Sequence, residues 1–235
     1  MKIYSNKLDL AKFFRGISEL EYVIIKPSQD LPNYYPGGDI DIFCLNMQEF
    51  GRKILTFGNE YVGIGLEIKV EESINGENLI IDFIDNEKID FRFDLYSSLP
   101  HYKNVKIKAW LFYSVIDNRK RLQKKSNIEY TIFVPSEIDD LILRYIEYYE
   151  WYKRRPDKLK HIDYIRDKIV SGSIRNRFFD KLFLYTDMLS QEKPKSHILI
   201  KFNKKIIFNI NKMISTPIHH IPRKLIRKIK KLHKN

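Results

Sequence analysis

Gly37-Gly38-Asp39-Ile40-Asp41-Ile42-Phe43 reads as a tight turn running into a buried strand that carries two carboxylates. Successive side chains of a strand point to opposite faces, so Asp39 and Asp41 point the same way. Ile40 and Ile42 on the other face, with Leu45 beyond, can anchor the strand in a core. Two acids side by side on one face repel each other. A bound divalent cation removes that repulsion, and Mg²⁺ (or Mn²⁺) together with substrate phosphates is a common solution. The stretch therefore points to metal-dependent transfer of a phosphoryl or nucleotidyl group. The bland alternative is a solvated strand face carrying ordinary surface acids.

Upstream, Tyr22-Val23-Ile24-Ile25-Lys26 reads as a strand that ends in Pro27-Ser28, and the turn-rich Leu31–Gly38 segment joins it to the acidic strand. This arrangement resembles the DNA polymerase β-like nucleotidyltransferase superfamily, over roughly residues 20–100 and more weakly to about 170. That family has a strand, a Gly-Ser turn, Asp-x-Asp on the next strand and a third carboxylate on a later one. Pro27 departs from the pattern, in which glycine lets the backbone approach phosphates closely. The resemblance implies an α+β fold: a mixed β-sheet with flanking helices, then a helical C-terminal half. It also implies transfer of a nucleotidyl or related group, from a nucleoside triphosphate or nucleotide-linked substrate, to a hydroxyl or phosphate acceptor.

The third acid is to be found on the strand Ile89–Tyr96, where Asp90, Arg92 and Asp94 alternate with Phe91, Phe93 and Leu95. Asp94 is chosen because it follows a hydrophobic run near the strand end, as in the resembled family. Asp90 and Asp82 are the reserves. On this reading Asp39, Asp41 and Asp94 hold the metal, and Asp94 can take the proton of an attacking hydroxyl. Ser28, Gly37, Gly38, Lys26 and Arg92 are the candidate substrate contacts. Lys158, Lys160 and His161 could also face the cleft and hold a substrate phosphate, but a solvated helix face is the expected explanation.

Other elements follow from caps and periodicity. Helices are expected from Asn6 to about Ile17 and from a cap at Asn46 to about Phe57. Strands are expected over Tyr61–Val70 and Leu79–Ile84, with a hairpin turn at Asn75-Gly76. Ser136 followed by Asp139 signs a helix whose face carries Ile138, Leu141, Ile142, Tyr145, Ile146 and Tyr149. Two more helices follow, separated by Pro156 and Gly172. Between Val105 and Pro135 the pattern is weak. Cys44 is the single cysteine, so there is no internal disulfide; it reads as a small buried hydrophobe in a reducing, cytoplasmic setting. No signal peptide and no run of about 18 apolar residues is visible.

The net charge of +12 is unevenly spread. Beyond Glu192 there are 13 Lys or Arg and no acid, which leaves 29 basic against 30 acidic residues in the first 192. The chain is thus expected to divide into a nucleotidyltransferase-like αβ unit (1–104), a mainly helical unit (105–192) and a basic amphipathic tail (193–235). In the tail Leu199, Phe202, Ile206 and Ile210 recur at helical spacing, and Leu225, Ile226, Ile229 and Leu232 lie among six Lys and Arg, Arg223 to Lys231. Such segments suit an anionic membrane surface, with nucleic acid as the second choice and a helix packed on the body as the plain structural alternative. By analogy with the resembled family, tail and body together look like an enzyme of surface-polysaccharide or lipid-linked sugar synthesis held at the inner membrane face. The alternatives are an RNA- or protein-modifying toxin-type nucleotidyltransferase and an inactive fold relic that binds a partner.

Overall fold

The computed structural model describes residues 3–63, 65–125, 129–151, 154–169 and 171–187. The tail lies outside them. Among the described residues, β1 (Tyr22–Ile25), β2 (Gly38–Cys44), β3 (Glu67–Glu72), β4 (Asn78–Asp85) and β5 (Lys88–Tyr96) form one sheet in the order β1-β2-β5-β4-β3. β2 and β5 run parallel, and the other neighbours are antiparallel. With α1 (Leu10–Gly16), α2 (Met47–Val62), α3 (Trp110–Asp117), α4 (Glu137–Trp151), α5 (Leu159–Lys168) and α6 (Gly172–Tyr185), this is a mixed α+β fold.

The alternation of apolar residues builds two cores, one on each side of the sheet. Ile40 and Ile42 of β2, Leu79, Ile81 and Phe83 of β4, and Phe91, Phe93 and Leu95 of β5 share the first with Phe13 and Phe14 of α1 and Phe50 and Ile54 of α2. α2 lies close to the sheet because two of its contact residues are glycines. A Cβ on Gly58 would stand 2.7 Å from the Phe83 ring and from Ile68. The second core joins Val23, Ile25 and Phe43 to α3, α4, α5 and α6, through residues such as Leu111, Leu141, Ile165 and Phe178.

A hairpin of β6 (Lys120–Lys125) and β7 (Glu129–Val134) fills the stretch where the sequence pattern is weak. Its Tyr130 and Ile132 belong to the first core, and β7 packs on α1 and β1. The boundary expected at residue 104 therefore does not separate the cores, because each draws on both sides of it.

Local corrections have local causes. α1 starts later than expected because Asp9, not Asn6, accepts the Lys12 N–H at 2.9 Å. Asn46 does cap α2, accepting from Glu49 N–H at 3.0 Å. That helix continues through Tyr61 and Val62, which the sequence suggested as the start of a strand, and Tyr61 packs on Phe57 one turn earlier. Asn75-Gly76 turns β3 into β4, with Gly76 at φ 66. Cys44 is buried, and burial pushes its thiol up to about 12, so it behaves as a hydrophobe. Among the described residues no helix is long and apolar enough to cross a membrane.

Candidate active site

The Gly-Gly turn aims β2. Gly37 has φ 78, a conformation open to glycine, and its N–H donates to the Asp90 carbonyl at 2.9 Å. The Gly38 N–H donates to the Tyr35 carbonyl, also at 2.9 Å, and a Cβ at Gly38 would touch that same oxygen. The N–H groups of both candidate contacts are thus used inside the turn. The role of Gly37 and Gly38 here is to position the strand.

From this turn β2 enters between β1 and β5. Asp41 lies opposite Ile25 on one side and Asp94 on the other, and Asp39 lies opposite Arg92. Partners in register share a sheet face. Asp39, Asp41, Arg92 and Asp94 therefore look out on the same side, the side of the second core. Its helices cover Val23, Ile25 and Phe43 and leave the acidic end open. Asp39 is exposed, while Asp41 and Asp94 are half-buried. Burial, then the neighbouring Asp41 charge, raises the Asp94 carboxyl to about 6. Asp41 is raised as well, by burial first, with Lys26 pulling it back down.

The reserves and Arg92 are engaged elsewhere. A register shift between Phe83 and Ile84 leaves Asp90 out of the ladder to β4. Its carboxylate accepts from Ser5 Oγ at 2.8 Å and Tyr34 Oη at 2.7 Å, with the Tyr34 ring edge-on to Phe91. Asp90 thus does not share a common role with Asp94. Asp82 is buried and takes a two-pronged pair from Arg92, at 2.6 and 2.8 Å. Arg92, suggested as a phosphate contact, spends its guanidinium on that carboxylate.

Lys26 sits just beyond β1 at φ 51. Its Nζ lies 2.5 Å from Glu147 Oε2 and 3.8 Å from Asp41 Oδ2. Glu147, on α4, also pairs with Lys158 and stands 3.3 Å from His161 Nε2. Burial pushes Glu147 up, but His161 beside it and the Lys26 and Lys158 ammonium groups hold it well below the ordinary carboxylate range. So the bland reading of Lys158 and His161 gives way: both converge on a carboxylate beside the acidic strand. Lys160, their neighbour, is exposed.

Two hollows meet at Lys26 and Asp41. The larger, about 210 Å³, is walled by Tyr96, His101, Tyr102, Leu143, Glu147 and Trp151. Its rim is fixed where Glu150 accepts the Lys103 and Asn104 N–H groups at 3.1 and 2.8 Å. The smaller, about 60 Å³, is lined by Pro27, Ser28, Leu31 and Asp39. Ser28 Oγ accepts the Asp30 N–H at 3.1 Å, which leaves its O–H to donate.

Among the described residues, no group of three or more His, Cys, Asp or Glu side chains is drawn into a metal-ligand set. The three acids share a face, but mutual repulsion and the exposure of Asp39 do not favour a closed cluster. Asp41 and Asp94 nevertheless offer oxygen donors alone. That suits a hard divalent cation bound by one or two carboxylates with substrate phosphates completing the shell. The Asp94 carboxyl is raised first by burial and then by the facing Asp41 charge, and a cation would relieve the second of these.

No protein-family model matches this chain, and no curated protein matches it. Among solved structures it is similar to an antigenic nucleotidyltransferase-like protein from Paracoccidioides brasiliensis. The two are 10% identical, the match covers 77% of this chain and 90% of that one, and the TM-score is 0.40. At that score the likeness carries no weight in assigning the site, which rests on the strands and side chains above.

The Asp94 environment makes a stability prediction. A carboxyl raised in the folded state favours folding below its unfolded value near 4, and that advantage is lost as pH rises through about 6. Asp94→Asn should therefore stabilise the protein at pH 8, by roughly 1–2 kcal/mol after allowance for partial exposure, and by little at pH 4. Thermal denaturation at both pH values checks this. Destabilisation at pH 8 would mean that the carboxylate holds structure.

Proposed function

We propose that this chain transfers a nucleotidyl or related phosphoryl group to a hydroxyl or phosphate acceptor, the new P–O bond replacing the donor's phosphoanhydride bond and the rest of the donor leaving (pyrophosphate from a nucleoside triphosphate), with Asp41 and Asp94 as the working carboxylates. The observation that carries this reading is the register pair itself. Two like charges stand opposite each other at the open end of a sheet face, beside a hollow lined by Asp41, Lys26 and Glu147. A divalent cation bound there supplies neutralisation of phosphate charge. Asp39, at the rim, is an additional oxygen donor. Asp94, on the same sheet face opposite Asp41, receives the proton of the acceptor hydroxyl. Lys26 and Lys158 present positive charge to the phosphates, and Glu147 holds both in place. Ser28 donates its hydroxyl from the smaller hollow. Tyr102 and Trp151 line the larger one.

A second reading, a relic that binds a partner, draws on one observation. Lys26 already stands near Asp41 as a resident positive charge. Thermal-shift screening separates the two. Nucleoside triphosphates and nucleotide-sugars are tested with Mg²⁺ or Mn²⁺, and with neither. An enzyme should gain stability from one nucleotide class only when the cation is present, about 2.7 kcal/mol at a hundredfold excess over Kd. No gain with any nucleotide, together with no turnover, would leave the relic.

A further inference from the structure

The ammonium of Lys26 is built into the acidic site. β1 ends at Ile25, opposite Asp41, so the next residue leaves the strand beside that carboxylate. Lys26 turns there at φ 51, a left-handed conformation uncommon outside glycine. Its Nζ stands 3.8 Å from Asp41 Oδ2 and 2.5 Å from Glu147 Oε2, and the side chain is only 19% exposed. Glu147 is fixed in turn by Lys158 and by His161 Nε2 at 3.3 Å. The ammonium therefore bridges two carboxylates, one from β2 and one from α4. A lysine that merely tied β1 to α4 would need Glu147 alone.

The other side of Asp41 is different. Asp94 faces it in register, and among the described residues Asp94 has no ion pair. Arg92, two positions earlier on β5, is paired with Asp82 at 2.6 Å. Asp41 thus has a fixed cation on one side and an unpaired acid on the other.

Sites that transfer phosphoryl groups with two metal ions hold those ions about 3.5–4 Å apart, one serving the attacking oxygen and one the leaving oxygen. We propose, building on the transfer reading of the same site, that Lys26 takes the place of one of these ions: the site binds a single divalent cation, through Asp41 and Asp94, and the Lys26 ammonium supplies the second positive charge. Repulsion argues against a second metal. An ion at Asp41 Oδ2 would come against an ammonium whose other partner, Glu147, is already shared with Lys158 and His161, and like charges that close in a partly buried site repel strongly. The Asp94 side holds no such competitor. Lysine suits the role because its ammonium is a compact point charge with three donors, enough for Glu147, Asp41 and one phosphate oxygen together.

Mn²⁺ counts the cation places without turnover. The full-length protein is titrated with Mn²⁺ alone, and the free ion is followed by its paramagnetic resonance signal. The double variant Asp41→Asn/Asp94→Asn is the blank for acids elsewhere on the surface. Wild type should bind one Mn²⁺ more than this blank. Lys26→Met should bind two more, because the place held by the ammonium is then open to a metal. Lys26→Gln, which keeps a donor toward Glu147, should also bind two and serves if Lys26→Met melts early. Two ions in wild type would overturn the proposal, as would one ion in wild type and lysine variants alike, because the ammonium then holds no cation place. No ion in wild type but one in the variants overturns it too, with Lys26 blocking the site as in the relic. No ion in any of them overturns the cation-dependent transfer reading as well, and so is told apart from the outcomes that leave a metal at the acids.

Discussion

Asp41→Asn should abolish cation-dependent turnover while leaving the fold intact. Asparagine keeps the shape of the side chain and removes its charge. In the proposed chemistry that charge would help to hold a divalent cation, whose neutralisation of phosphate charge would contribute several kcal/mol to the transition state. A loss of roughly 4 kcal/mol is about a thousandfold in rate. Stability should move the other way or not at all. Asp41 is half-buried and raised by burial, with the Asp39 charge adding to the shift, so its ionised form is a net strain on the resting protein. Lys26 loses a partner 3.8 Å away but keeps Glu147 at 2.5 Å. Turnover assays with each candidate nucleotide, paired with melting curves, check both halves. A variant that melts normally and retains wild-type turnover sinks the mechanism. One that fails to fold makes Asp41 a structural acid. Asp39→Asn should lose less, because Asp39 stands exposed at the rim.

The sequence made the face legible but not the partners. Alternation within Asp39-Ile40-Asp41 is enough to place two acids on one side of a strand, because that depends on the chain alone. The choice of Asp94 over Asp90 depends on a bulge, and a bulge depends on how β4 and β5 pair. The same pairing sets Asp82 against Arg92, so the guanidinium that looked free in the sequence is spent. The Gly-Gly turn was visible, but which carbonyls its N–H groups meet is a tertiary fact. The β6–β7 hairpin was missed because Lys120–Lys125 is polar and lacks a period of two, while the core contact is made by Tyr130 and Ile132 of its partner. Glu147 was missed for a related reason. On α4 it stands apart from the apolar face that signals the helix, and nothing local says that this other face meets Lys26 from β1, 121 positions earlier.

Glu147 is where stability and the site are most tightly coupled. Its carboxylate is largely buried, and it gathers Lys26, Lys158 and His161. Glu147→Gln keeps the volume and removes the only charge common to these partners. Two ammonium groups are then left close together with the desolvation cost unopposed. Removing one partner from a buried ionic network costs about 3–5 kcal/mol, and a loss near 3 kcal/mol is expected here. The sign with pH follows from the depressed carboxyl. Its contribution is present above the unfolded value near 4.3 and drains away as pH falls below that point. The wild type should therefore lose stability on acidification more steeply than Glu147→Gln, and the two curves should converge at low pH. Lys26→Met offers a second handle. It leaves Lys158 and His161 on Glu147, so it should cost less than Glu147→Gln. The double variant should be more stable than the sum of the two losses, with a coupling of about 1 kcal/mol or more, because the lysine is a liability only once its carboxylate is gone. Additive losses would mean that the 2.5 Å contact carries no energy and that Lys26 is held near Asp41 by the backbone instead.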